Sequence, residues 1–67
     1  MKITINGEDR QFPEPQLPLN ELLERLKLGG QPVVVELNAQ ALLSREFPRI
    51  KIQTDDRIEI IRIVAGG

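Results

Sequence analysis

Apolar and polar side chains alternate at both ends of this chain and repeat with a helical period between them. Lys2 to Asn6 reads Lys, Ile, Thr, Ile, Asn, which puts Ile3 and Ile5 on one face and predicts a half-buried strand. Asn6-Gly7 follows, a pair that tolerates positive φ and suits a primed hairpin turn, with Glu8-Asp9-Arg10 expected to lengthen the loop. A second short strand is predicted from Arg10 to Phe12, with Phe12 turned inward. Pro13 and Pro15 end it, because neither can donate to a ladder, so it belongs at a sheet edge.

Leu19, Leu22, Leu23 and Leu26 fall at i, i+3, i+4 and i+7 and predict one helix over Leu19 to Lys27, with Glu21 placed four before Arg25. Pro18 suits its entrance by its fixed φ but offers no capping oxygen, and Gly29-Gly30 predicts a left-handed stop before Pro32. Val33 to Leu37 is strongly β-forming, with Val33, Val35 and Leu37 on one side and Val34 and Glu36 on the other. Asn38-Ala39-Gln40 turns it into a short return strand, Ala41 to Leu43, and Ser44 to Pro48 reads as an irregular crossing. Ile50 and Ile52 lead to a turn at Thr54-Asp55-Asp56 and then to the most strongly β-forming run in the chain, Arg57 to Val64.

The predicted order is strand, strand, helix, strand, short strand, strand. The handedness of crossovers puts the last strand beside the first, parallel to it, in the sheet centre. The expected class is α+β, a mixed sheet of about four to five strands packed on one helix, which is the ubiquitin-like or β-grasp layout. No repeat, linker or low-complexity stretch divides the chain, so residues 1–67 are expected to form one domain with 65–67 as a flexible tail.

Composition narrows the chemistry. With no Cys and no His, the chain lacks thiolate nucleophiles, disulfides and the commonest base and metal ligand at neutral pH. A 67-residue domain also leaves no room for a catalytic cleft, so an enzyme is not expected. A net charge of -1, two Phe and no Tyr or Trp give neither a cationic face nor stacking platforms for nucleic acid. No apolar run approaches a signal peptide or a bilayer span, which predicts no membrane partner and a cytoplasmic protein, or a stromal one if the chain is plastid-encoded.

The candidate functional element is the end, Val64-Ala65-Gly66-Gly67. Side chains shrink to nothing beyond the last strand, so the Gly67 carboxylate sits on a stalk narrow enough to thread into a tight cleft. Gly-Gly ends a chain of average composition about one time in 200, and such an end is otherwise a small, polar terminus or a remnant of cloning.

With these residues in hand the chain resembles the ThiS family of sulfur carriers in thiamine biosynthesis, and more distantly the molybdopterin-synthase small subunit and ubiquitin. The resemblance spans nearly the whole chain. It rests on Met1 to Gly7, Leu19-Asn20-Glu21-Leu22-Leu23, Glu36-Leu37-Asn38, Arg45-Glu46, Asp55 to Ile60 and Val64 to Gly67. The family often has Gly where Asp55 stands and Thr or Ser where Pro18 stands. The resemblance implies a carrier rather than an enzyme, with no bound cofactor. A partner resembling ubiquitin-activating enzymes, of ThiF type, consumes ATP with Mg to adenylate Gly67. A cysteine desulfurase or other persulfide donor then supplies sulfur to leave a thiocarboxylate, and a ThiG-type thiazole synthase takes that sulfur. In this reading Val64, Ala65 and Gly66 thread into the partner's cleft. Sulfur delivery to molybdopterin or to tRNA uses the same tail, and a β-grasp interaction module with an inert tail remains a reading from another class.

Parity adds a docking expectation. A face that buries Ile58 and Ile60 cannot also bury Ile61 and Ile63, which then point to the open face of the sheet. Ile61 and Ile63, with Phe47, are the expected partner-docking residues; the alternative is that the two isoleucines merely lie on the sheet, shielded by Phe47 or Val34.

Overall fold

The structure, a computed structural model, describes residues 1–64. Strands β1 (Lys2–Ile5) and β2 (Glu8–Gln11) form an antiparallel hairpin in which Ile5 faces Glu8. The loop is therefore Asn6-Gly7 alone, with φ of 50° and 83°, the positive pair of a type I′ turn. Glu8-Asp9-Arg10 does not lengthen the loop as expected, because a two-residue primed turn already matches the strand twist and returns the chain into register at once. Phe12 lies just past β2, half-buried against the core, and its N–H bonds Met1 O at 2.9 Å.

Strand β3 (Gln16–Pro18) leads into helix α1 (Leu19–Arg25), which buries Leu19, Leu22 and Leu23. Pro18 provides no side-chain cap. The first helical amide, that of Leu19, is instead satisfied by Ile50 O at 2.8 Å. The helix stops earlier than Gly29-Gly30 predicts. Lys27 adopts φ 62°, its N–H bonds Glu24 O at 2.9 Å and the Leu28 N–H bonds Leu23 O at 2.8 Å. This is a Schellman closure with lysine in the place usually taken by glycine.

Strands β4 (Val33–Leu37) and β5 (Gln40–Leu42) form the second hairpin, again on a two-residue loop with both φ positive, Asn38 at 50° and Ala39 at 70°. Gln40 consequently belongs to β5, not to the turn. A 3₁₀ turn, Ser44–Arg49, takes the place of the irregular crossing and carries the chain to β6 (Lys51–Gln53). Asp55 then turns the chain at φ 75°, a conformation its short polar side chain tolerates, and β7 (Arg57–Arg62) follows.

Among the described residues the main sheet has five strands in the order β2-β1-β7-β4-β5, with β7 parallel to β1 and antiparallel to β4. The last strand thus lies in the centre beside the first, as the crossover rule requires. A separate two-stranded sheet, β3 with β6, pairs Leu17 with Ile52. The core lies between α1 and one face of the main sheet, where Ile3, Ile5, Val35, Ile58 and Ile60 meet Leu19, Leu22 and Leu23. This is the β-grasp layout, with the small β3–β6 sheet added.

Candidate functional site

Strand β7 is held on both sides before it reaches the end of the described chain. Its neighbours place Ile58 opposite Leu37 on one side and Ile5 on the other, and the alternation buries Ile58 and Ile60 while exposing Arg57, Glu59 and Ile61. Two asparagines from the two hairpin turns reinforce it. Asn38 accepts the Arg57 N–H on Oδ1 at 2.9 Å and donates its own N–H to Arg57 O at 2.8 Å, while its Nδ2 bonds Asp56 at 3.1 Å. On the opposite edge of the strand Asn6 engages the Ile60 backbone through its side chain alone, Oδ1 accepting the Ile60 N–H and Nδ2 donating to Ile60 O. Sequence alone marks these two residues only as turn formers; their bracing of β7 depends on register.

The last backbone bond before Val64 runs from the Ile63 N–H to Pro32 O at 3.0 Å, one step beyond β7. Ile61 and Ile63 are 58% and 53% exposed and Val64 is 82% exposed. Val34, directly opposite Ile61, is 39% exposed on the same open face. The parity expectation for Ile58, Ile60 and Ile61 therefore matches the geometry.

Phe47 does not belong with them. It is 6% exposed, carried inward by the 3₁₀ turn to pack in the core on the helix side of the sheet, so it cannot share the open face with Ile61. Phe47 lines a groove of about 620 Å³ together with Leu23, Leu28, Val33 and Ile63. Ile63 therefore sits at the rim of that groove and not with Ile61 on the open face as parity predicted, because β7 ends at Arg62 and the alternation does not continue past it. An aromatic next to a proline in a stretch without periodicity carries no signal of which way it faces, and burial of a large ring decides it.

The helical spacing of Glu21 and Arg25 does not become a pair either. Arg25 reaches the Glu14 carboxylate with both terminal guanidinium nitrogens, Nη1 to Oε1 at 3.2 Å and Nη2 to Oε2. The Arg25 hydrogen bonds hold the Glu14 carboxyl below its usual range, and those same bonds raise Arg25. Among the described residues no group of His, Cys, Asp or Glu is placed to hold a metal ion, and no helix is long and apolar enough to cross a membrane. Ala65, Gly66 and Gly67, expected to thread and to react, lie outside the described residues.

The sequence pattern of the ThiS family matches residues 3–67, which takes in the whole strand framework and the final glycines. The chain belongs to the ThiS family. It is similar over its full length to the ThiS crystal structure from Geobacter metallireducens, a thiamine biosynthesis protein, at TM-score 0.87 and 30% identity with all of both chains covered. The sulfur carrier protein ThiS of Thermus thermophilus is 32% identical over 97% of this chain and 98% of its own length. Protein ycf40 of Porphyra purpurea is 39% identical over all of this chain and 93% of the relative. The thiazole synthase of Paramagnetospirillum magneticum is 30% identical over all of this chain, which spans only 20% of that protein. A ThiS-like segment there shares a polypeptide with much additional sequence.

Proposed function

We propose that this ThiS-family chain carries sulfur on its C-terminal glycine for formation of the thiazole moiety of thiamine. The observation that carries the reading is a family match running unbroken to Gly67, behind a central strand pinned on both edges. A carboxylate with an ordinary pKa near ~3.5 is ionised at neutral pH and attacks the α-phosphorus of ATP once a ThiF-type partner neutralises the phosphates, releasing pyrophosphate. A persulfide sulfur from a cysteine desulfurase or similar donor then attacks the acyl carbon and expels AMP. A thiol cleaves the resulting S–S bond and leaves the thiocarboxylate. Mg and ATP are thus the partner's reactants, and this chain supplies the nucleophile and its delivery.

A ThiG-type thiazole synthase is the acceptor in this reading. The match of the whole chain to a fifth of a thiazole synthase supports that acceptor over a molybdopterin or tRNA route. Residues 1–67 act as one domain in the cytoplasm, or in the stroma for a plastid-encoded chain, with Val64, Ala65 and Gly66 threading into the partner's cleft while Ile61 and Ile63 dock on its surface. Incubation with ATP, the ThiF-type enzyme and a sulfur donor is expected to raise the intact mass by one sulfur-for-oxygen exchange. Removing Gly67, or adding a residue after it, should abolish the shift; an extended chain thiolated as well as the native one would end the carrier reading.

A further inference from the structure

The loop that follows helix α1 reaches the end of the last strand on the helix side of the sheet. Arg62 shares the parity of Ile58 and Ile60, so its side chain leaves β7 on that side and not on the open face. There its Nη2 donates to Gln31 Oε1 at 2.8 Å. One residue on, the Ile63 N–H bonds Pro32 O at 3.0 Å, one step beyond the final β4–β7 pair, Val33 with Arg62. The loop is itself seated on the helix. The Leu28 N–H bonds Leu23 O at 2.8 Å, the Gln31 N–H bonds Leu28 O at 3.2 Å, and Gly29 lies so close to α1 that a Cβ there would stand 2.8 Å from Glu24 Cγ. Leu22 and Leu23 are in turn buried in the core. A continuous set of contacts therefore runs from the core through Gln31 and Pro32 to Arg62 and Ile63.

We propose that Gln31 is a positioning residue for the reaction at Gly67: through Arg62 it holds the root of the tail, so that the chain offered to the adenylating enzyme starts from a fixed Ile63. The inference rests on the carrier reading and names a residue that serves it without touching the partner. Proline explains why a side chain is needed. A hydrogen-bonded antiparallel pair ordinarily exchanges two backbone bonds, but Pro32 has no N–H to return to Ile63, so this last rung carries one. The bond from Arg62 to Gln31 is the second tie. Four residues, Val64 to Gly67, follow the anchor, and fully extended they span at most about 14 Å. Were the anchor to slip back along β7, further residues would have to be ordered each time the carboxylate enters a cleft, each at up to about a tenfold loss of binding. A root already fixed in the free carrier spares that loss. Its effect falls on KM and leaves kcat alone, because the threaded chain is the same in both cases.

Gln31→Ala and Gln31→Glu, each made in the full chain, test this on two readouts: amide hydrogen exchange at Ile63, and KM and kcat of the carrier in ATP–pyrophosphate exchange by the ThiF-type enzyme. Gln31 is exposed, so neither change threatens the fold. Gln31→Ala removes the acceptor, and the Ile63 N–H is expected to exchange about threefold faster while KM rises about threefold at native kcat. Gln31→Glu keeps an acceptor for Arg62 and should restore native values on both readouts. Arg62→Ala should match Gln31→Ala, and the double variant should lose no more than either single one. Native behaviour of Gln31→Ala, a loosened Ile63 with native KM, a raised KM with Ile63 held as firmly as before, failure of Gln31→Glu to restore, or additive losses would each overturn the inference and leave the carrier reading intact. A native chain that supports no exchange would remove both, so the two failures are told apart.

Discussion

The Asn6 carboxamide grips both backbone groups of Ile60: Nδ2 donates to the Ile60 carbonyl at 3.1 Å and Oδ1 accepts the Ile60 N–H at 2.7 Å. Strand β1 ends at Ile5, and the Asn6 main-chain N–H makes its bond to Ile58 O at 2.9 Å. One side chain therefore continues the parallel ladder past the end of the strand. The consequence lies on the path to function, because β7 leads directly to the tail: at Ile60 its β1-side edge is held by a turn residue, while β4 holds the other edge as far as Arg62.

Replacing Asn6 separates this role from its turn role. Asn6→Gly keeps the positive φ of 50° but leaves the Ile60 N–H and carbonyl without protein partners, at an expected cost of about 1–3 kcal/mol. Asn6→Ala adds the strain of a left-handed alanine, about 1 kcal/mol more. Denaturant unfolding of both variants measures the two contributions; equal stability of Asn6→Gly and the native chain would show that water satisfies Ile60 as well as the carboxamide does.

Two other positions hold left-handed backbone without glycine and without such compensation. Ala39 at φ 70° and Lys27 at φ 62° are each expected to gain about 0.5–1 kcal/mol on replacement by glycine, the relief of strain exceeding glycine's extra entropy in the unfolded chain. Melting temperatures should rise by a few degrees in each and nearly additively in the double variant, since the two turns share no partner. A fall in either would mean that the side chain contributes more than its backbone costs.

These positions also mark where the sequence stops being readable. The β-branched runs at Val33 to Leu37 and from Arg57, the leucine stripe of α1 and the Asn6-Gly7 turn carry local signals strong enough to give the layout and the central place of β7. The β3–β6 sheet carries none: each strand is three residues long, buries one side chain, and finds its partner more than thirty residues away, with Leu17 on Ile52. Lys27 hides a helix stop because lysine has no preference for left-handed backbone. At the site, parity foretold the outward-facing Ile61, whereas the inward turn of Phe47 and the meeting of Arg62 with Gln31 depend on packing and register that no local window contains.

The Glu14–Arg25 pair predicts an acid sensitivity with a definite sign. The folded-state carboxyl of Glu14 is lowered by its Arg25 hydrogen bonds, so its stabilisation is present in full above the unfolded-state pKa and is lost as pH falls through the folded-state value. Side chains 30% and 43% exposed make the effect modest, since solvent and salt screen it. Melting temperature followed from neutral pH downward should converge for the native chain and Glu14→Gln below the carboxylate range, with the native chain higher above it. Parallel curves would show that the pair adds nothing.

The burial of Phe47 and the exposure of Ile61 require opposite outcomes from substitution. Phe47→Ala removes a buried ring and is expected to cost about 3–5 kcal/mol, much of the whole stability of a domain this small. Phe47→Leu refills most of that space and should fold and bind the adenylating enzyme as the native chain does, which a docking role for the ring would forbid. Ile61→Thr keeps a β-branched side chain on the strand, so its melting temperature should move little, but it puts a hydroxyl where apolar contact is expected. If Ile61 is a docking residue, truncating its apolar surface costs about 1 kcal/mol or more of binding, roughly a fivefold loss of affinity. Melting and titration on the same three samples decide the matter: a folded Ile61→Thr that binds at native strength would mean that the partner reads the tail alone, and a folded Phe47→Leu that binds poorly would return the ring to the interface.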